Sequence, residues 1–249
     1  MEMDSKQAAK NIIEALKYLN HNSPESNEVI NWTYTPDIRL SDYLNALKCY
    51  LKKEKPTASE RQKAGYLLEE ILTLSFKGLA GYSEIKSYQS SSHQYDFLIS
   101  GDGANWDIIC NRLFLENYRG IVVEAKATEE VVSIAQFSRL CSVLSLELFN
   151  TVGLGVFFTL KGAAGFPSRN GRKKCISDAR LCQLLFYARH KKNIVVFDKD
   201  DIFELNENGA LIHILIRKIK EIEQSSGLKN APVAELVDID LPERLKNLI

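Results

Sequence analysis

Ile121-Val122-Val123-Glu124-Ala125-Lys126-Ala127 is the stretch on which the fold turns. It opens as a β-branched aliphatic run, the composition of a central strand covered on both faces. Its second half sets a carboxylate and an ammonium two residues apart. Successive side chains of a strand point to opposite faces, so Glu124 and Lys126 share one face while Ile121, Val123 and Ala125 share the other. Two opposite charges at the end of an otherwise apolar strand cost desolvation unless a partner, a wet cleft or a metal satisfies each. Taken alone, Glu-x-Lys is a weak signal, because an ion pair on a solvated strand reads the same way. Its surroundings decide.

Downstream of this run, Phe137, Leu140, Cys141, Leu144 and Leu148 recur at helical spacing, GLGVFFTL reads as a strand, SDARLCQLLFYARH as a helix and NIVVFD as another strand. DDIFELNENGALIHILIRKIKEIEQ then reads as mostly helical. Upstream, TASERQKAGYLLEEILTLSFKGL predicts a long helix opened near Thr57 or Ser59 and closed around Gly78. EIKSYQ and QYDFLIS follow as strands, then the turn signal GDG and a further strand-like run, WDIIC from Trp106 to Cys110. Helix, strands in series, then alternating helix and strand predict an α/β core with a mixed central β-sheet flanked by helices.

A helical N-terminal region precedes this core. Ala9, Ile12, Ile13, Leu16 and Leu19 mark an amphipathic helix, and after the polar HNSPESNE a second helix capped by Ser41 or Asp42 ends before Pro56. The expected division is residues 1–55 as a helical region offering a surface to a second copy or a partner, 56–225 as the main domain, and 226–249 as a tail.

Lysines and arginines number 32 and acidic residues also 32, so no global basic field exists and any nucleic-acid contact has to come from a local patch. Five scattered cysteines with no CxxC pair suggest neither a disulfide framework nor a zinc site, and fit a reducing, cytoplasmic setting. The first twenty residues lack the unbroken apolar core of a signal peptide, and no later run approaches the length of a membrane span.

Asp96 is a second charge in an unfavourable place, a single carboxylate interrupting the aromatic and aliphatic QYDFLIS. Two acids arriving on adjacent strands can hold a hard divalent cation. Mg²⁺ suits them, because it accepts few carboxylates and keeps several waters, with Mn²⁺ as a substitute. In phosphodiester hydrolysis such a metal activates water and polarises the phosphate, and Lys126 orients the nucleophile or stabilises developing charge.

At this point the chain resembles the PD-(D/E)xK superfamily of restriction-endonuclease-like nucleases. The resemblance rests on four short pieces in order: GYLLE at Gly65 to Glu69 on a helix, YDF around Asp96, VVEAK ending at Lys126, and the following helix with Gln136. Tyr95 stands where a proline often precedes the first acid, and the interval between Asp96 and Glu124 holds an insertion containing Trp106. The resemblance implies a restriction-endonuclease-like core and a metal-dependent DNA endonuclease, serving restriction or phage defence, with Gln136 supporting the lysine or touching the substrate. Alternatives on the same core are a junction resolvase, an exonuclease or an RNase; the alternative outside catalysis is a nucleic-acid-binding or assembly module. Duplex cleavage makes a homodimer the expected assembly, and a separate ATPase or sensor subunit is a further candidate partner.

Glu69 is the expected fourth member of the site. The row Gly65, Glu69, Leu72, Phe76 turns it inward, whereas Glu70 belongs to the row of Lys63, Tyr66, Thr73 and Lys77 and reads as a solvated acid. Metal ligation is therefore expected of Asp96, Glu124 and Glu69. For nucleic acid, the glycine-rich loop LKGAAGFPSRNGRKK offers Lys161, Arg169, Arg172, Lys173 and Lys174 to the phosphate backbone. His93, near Asp96 in sequence, reads as an exposed loop residue.

Overall fold

A computed structural model describes residues 24–89, 94–115, 118–127, 130–166 and 178–226, together with residues 7 and 11. Apart from Asn11, the helix expected across Ala9 to Leu19 falls outside the described residues, as does the tail beyond Ser226.

Three helices precede the sheet: α1 (Pro24–Thr33), α2 (Leu40–Leu51) and α3 (Ala58–Lys77). α3 begins where the sequence predicts. The Thr57 side chain accepts from the Glu60 N–H, and the Glu60 carboxylate accepts from the Thr57 N–H at 2.8 Å, a reciprocal cap that satisfies two otherwise orphaned donors. α2 begins earlier than expected. Arg39 is its first flanking residue, with its own N–H held by the Asp37 carboxylate at 2.9 Å, so Ser41 and Asp42 lie inside the first turn instead of capping it.

The sheet has five strands, β1 (Tyr82–Gln89), β2 (Gln94–Gly101), β3 (Gly120–Lys126), β4 (Val152–Thr159) and β5 (Asn193–Phe197), in sequential order. β1, β2 and β3 pair antiparallel; β3, β4 and β5 pair parallel. Parallel neighbours need a crossover, and it is supplied by α5 (Ile134–Ser142), which runs on through a π turn at Val143–Glu147, and by α6 (Asp178–His190). α7 (Lys199–Glu204) and α8 (Ala210–Ser225) complete the described chain. This is the α/β architecture expected, a mixed sheet flanked by helices, with Ile121–Lys126 in its middle strand.

WDIIC departs from expectation. It lies in a helix, α4 (Gly103–Arg112), not a strand. Trp106, Ile109 and Cys110 are its buried residues, which is i, i+3, i+4 spacing, although five apolar-rich residues fit both periods. The Trp106 indole donates to the Arg119 carbonyl at 3.0 Å, and its ring occupies the place a Cβ on Gly101 would need, so only glycine lets β2 pass beneath it.

Both faces of the sheet are covered. Ile99, Ile121, Val123, Val156 and Phe197 face a core completed by α2, α3, α4 and α8, which Tyr34, Leu40, Leu44 and Leu47 join from the N-terminal region. Val122, Phe157, Ile194 and Val196 face a second core against Phe137 and Leu140 of α5 and Phe186 of α6. Glu124 shares a face with Val122, so its neighbours come from α5. Among the described residues no helix is long and apolar enough to cross a membrane.

Candidate active site

The ladder between β2 and β3 runs from Ser100↔Gly120 to Phe97↔Val123 and stops one residue short of Glu124. Against β1 the register slips at the same level: Ser87 pairs with Phe97, but Tyr88 pairs with Tyr95, which leaves Asp96 as the extra residue of a bulge. A bulge breaks the strict alternation of a strand and re-aims the side chain it carries. Here the Asp96 Oδ2 accepts the Ala125 N–H at 2.6 Å. The carboxylate takes the place of the next backbone rung, which brings it beside the Glu-Ala-Lys segment of β3.

Glu124 is 1% exposed. Its Oε1 takes the Lys126 ammonium at 2.8 Å and also the Arg139 guanidinium, which reaches across from α5. Its Oε2 is buried with no hydrogen-bond partner. A buried carboxylate oxygen left unsatisfied costs on the order of 1–3 kcal/mol or more. Two cations crowd one oxygen and none satisfies the other. Lys126 is 23% exposed and Arg139 is 42% exposed, so both line the route between Glu124 and solvent.

The structure therefore sets the Lys126 ammonium on the Glu124 carboxylate and ties the Asp96 carboxylate to the Ala125 N–H between them, at the point where two strands part. Glu69 is placed differently from the expectation that it faces inward: it is exposed. Residues advance about 100° per position around a helix. The buried stripe of α3 runs through Ala64, Leu68, Ile71, Leu72 and Ser75, and Glu69, one position past Leu68, lies at its margin instead of within it. It still senses the site. Desolvation first, and the negative charge of Asp96 second, push its carboxyl above the ordinary carboxylate value. Glu70 also is exposed, and its charge acts on both Glu69 and Arg39.

Gln136 is held elsewhere than expected. Its side-chain oxygen accepts the Ser133 N–H at 2.9 Å, closing a reciprocal cap at the start of α5. It thus fixes the helix that delivers Arg139. Arg139, three residues on, is the member that sequence reasoning passed over; its spacing from Gln136 was visible, but which strand that helix face would meet was not. Lys161 is exposed just beyond β4. Arg169, Arg172, Lys173 and Lys174 lie outside the described residues, as does His93.

Among the described residues no group of three or more His, Cys, Asp or Glu side chains gathers as a metal cage. What Asp96 and Glu124 offer is a pair of hard oxygen donors, one of them an orphaned buried oxygen. That set fits a magnesium-like ion, which keeps several waters and needs only one or two carboxylates. A cavity of about 200 Å³ adjoins the end of β3, lined by Tyr50, Pro56, Ala127 and Lys161 among others. A larger one of about 550 Å³ is lined by residues of α1, α4 and α8, including Arg112, His213 and Lys220, and by none of the candidate site residues.

No protein-family model matches the sequence, and no curated protein matches it. Among solved structures, the restriction endonuclease FokI aligns with a TM-score of 0.37 at 12% identity, covering 73% of this chain and 32% of that one. This chain thus spans about a third of that protein's length.

Proposed function

We propose that the protein is a divalent-metal-dependent nuclease that hydrolyses phosphodiester bonds of DNA, with Asp96, Glu124 and Lys126 as its active site. The observation that carries the reading is the buried Glu124 carboxylate, with one oxygen oversupplied with cations and the other orphaned, one residue from the Ala125 N–H that holds the Asp96 carboxylate. A structural ion pair gains nothing by leaving that oxygen empty.

Asp96 and Glu124 would hold Mg²⁺, or Mn²⁺ in its place, and the ion when bound supplies a Lewis acid and a water of lowered pKa. The rest falls to the chain. Asp96 is oriented by the Ala125 N–H, and Glu124 by Lys126 and Arg139. The Lys126 ammonium, a compact point charge at the open side, orients the attacking water or stabilises the negative charge that builds on phosphorus-bound oxygen. Glu69, at the rim with a raised carboxyl, contributes through water and not as a direct ligand. Lys161, Arg169, Arg172, Lys173 and Lys174 supply phosphate contacts. Cutting both strands takes two sites or two sequential nicks, so a homodimer is the assembly this chemistry favours.

The test is cleavage of linear, circular and single-stranded DNA, and of RNA, with Mg²⁺, Mn²⁺ or EDTA, beside Lys126→Ala. Metal-dependent cutting lost in the variant is the expected result. Cutting that persists in EDTA, or that survives Lys126→Ala, refutes the assignment.

A further inference from the structure

Glu124 has two cationic partners where one would neutralise it, and both act on the same oxygen. A guanidinium can bind a carboxylate through both oxygens at once, since its fork matches the two acceptors, and such pairs are frequent. Arg139 does not. It engages Oε1, already taken by Lys126, and leaves Oε2 bare. Its helix is anchored independently of that contact, by the Ser133–Gln136 cap and by burial of Phe137 and Leu140, so the arginine is not needed to seat α5.

We propose that Arg139 is the resident counter-ion of the candidate metal site: it balances and positions Glu124 in the metal-free protein, competes with the divalent cation for that carboxylate, and so sets how much cation is needed to load the site. The inference rests on the nuclease reading only in taking Asp96 and Glu124 as the ligands. It assigns Arg139 a regulatory charge on loading. Lys126 extends from the same strand as Glu124, two residues on, whereas Arg139 reaches the carboxylate from a separate helix. A guanidinium stays charged at every physiological pH, so the competition is constant and is relieved only by cation concentration. With 42% of its side chain exposed, Arg139 has solvent to move into when it gives up the carboxylate.

The experiment measures Mn²⁺ binding by electron paramagnetic resonance, without nucleic acid, for the full chain and for Arg139→Gln, Arg139→Lys and Asp96→Asn. Removing one positive charge within ion-pair distance of a ligand should tighten Mn²⁺ binding at least about fivefold in Arg139→Gln. Arg139→Lys, which keeps the charge, should stay near wild type. Unchanged or weaker Mn²⁺ binding in Arg139→Gln, with the fold intact by circular dichroism, overturns the proposal. Equal tightening in Arg139→Lys also overturns it, since charge would then not be the cause. Failure of the underlying reading looks different: wild type that binds no Mn²⁺, or binds it as well after Asp96→Asn, means there is no metal site there at all.

Discussion

Two carboxylates of this protein are buried beside a lysine and an arginine, and they are satisfied in opposite ways. Asp201, at the start of α7, receives Arg217 on Oδ1 at 2.7 Å and Lys218 on Oδ2 at 2.6 Å, with the Asp198 N–H on Oδ2 at 3.1 Å. Each oxygen has its partner. Glu124 has the same ingredients, but both cations sit on one oxygen and the other is empty. The first arrangement is complete as it stands, while the second reserves an acceptor. The difference separates a carboxylate that locks a helix start from one that keeps an unused acceptor.

Several substitutions would break or sharpen that contrast. The largest effect is expected at the unsaturated carboxylate: Glu124→Gln or Asp96→Asn should cut cleavage by at least about a thousandfold, because loss of a metal-holding oxygen removes the charge stabilisation on which hydrolysis depends. Thermal unfolding should shift little, and a collapse of the fold would make Glu124 a structural residue like Asp201. At the saturated carboxylate the expectation reverses. Asp201→Ala removes the shared partner of Lys218 and of Arg217, which keeps Glu204 at 3.6 Å, and should cost about 1–3 kcal/mol in denaturant unfolding, while Mn²⁺ affinity of the folded protein stays as in wild type.

A smaller effect links the two properties. Ser133→Ala removes the cap of α5 and should cost about 1 kcal/mol of stability, with a modest change in activity because that helix carries the Arg139 counter-ion. Stability changing without activity would mean that helix placement does not matter to the site.

Lys192 gives a third kind of buried charge, a cation with no carboxylate partner among the described residues. It is 1% exposed, and its ammonium donates to the Leu144 and Phe149 carbonyls at 3.0 and 2.6 Å. Burial pushes it down from 10.5 to about 8. A folded pKa below the unfolded one means that between these values the unfolded chain binds more protons, so stability contributed by this residue rises with pH across that window. The difference in unfolding free energy between wild type and Lys192→Met should therefore move in favour of wild type from pH 8 towards 10.5. A flat difference would show that the two carbonyls hold the ammonium charged. The smallest effect is at the surface: Lys161→Ala should weaken DNA binding slightly and reduce its salt slope by about one.

The long helix was legible down to its cap, because Thr57 and Glu60 satisfy each other within one turn and need nothing from the rest of the fold. The strands around Asp96 and Glu124 were legible from their period-two and aliphatic patterns. WDIIC was not, since a short apolar run fits either period and only its place over Gly101 settles it. Glu69 was misjudged by about a third of a turn, because a row of apolar residues shows which side of a helix is buried but not where its margin falls.

Local patterning carried the α/β class and the three charged residues Asp96, Glu124 and Lys126, since propensity, capping and alternation act over a few residues and can be read along the chain. The bulge that re-aims Asp96, the cap that occupies Gln136 and the convergence of Arg139 on Glu124 came only with the folded structure. Each depends on the register between strands and on the angle at which α5 crosses β3. Those are set by packing between residues far apart in sequence, and no short motif encodes them.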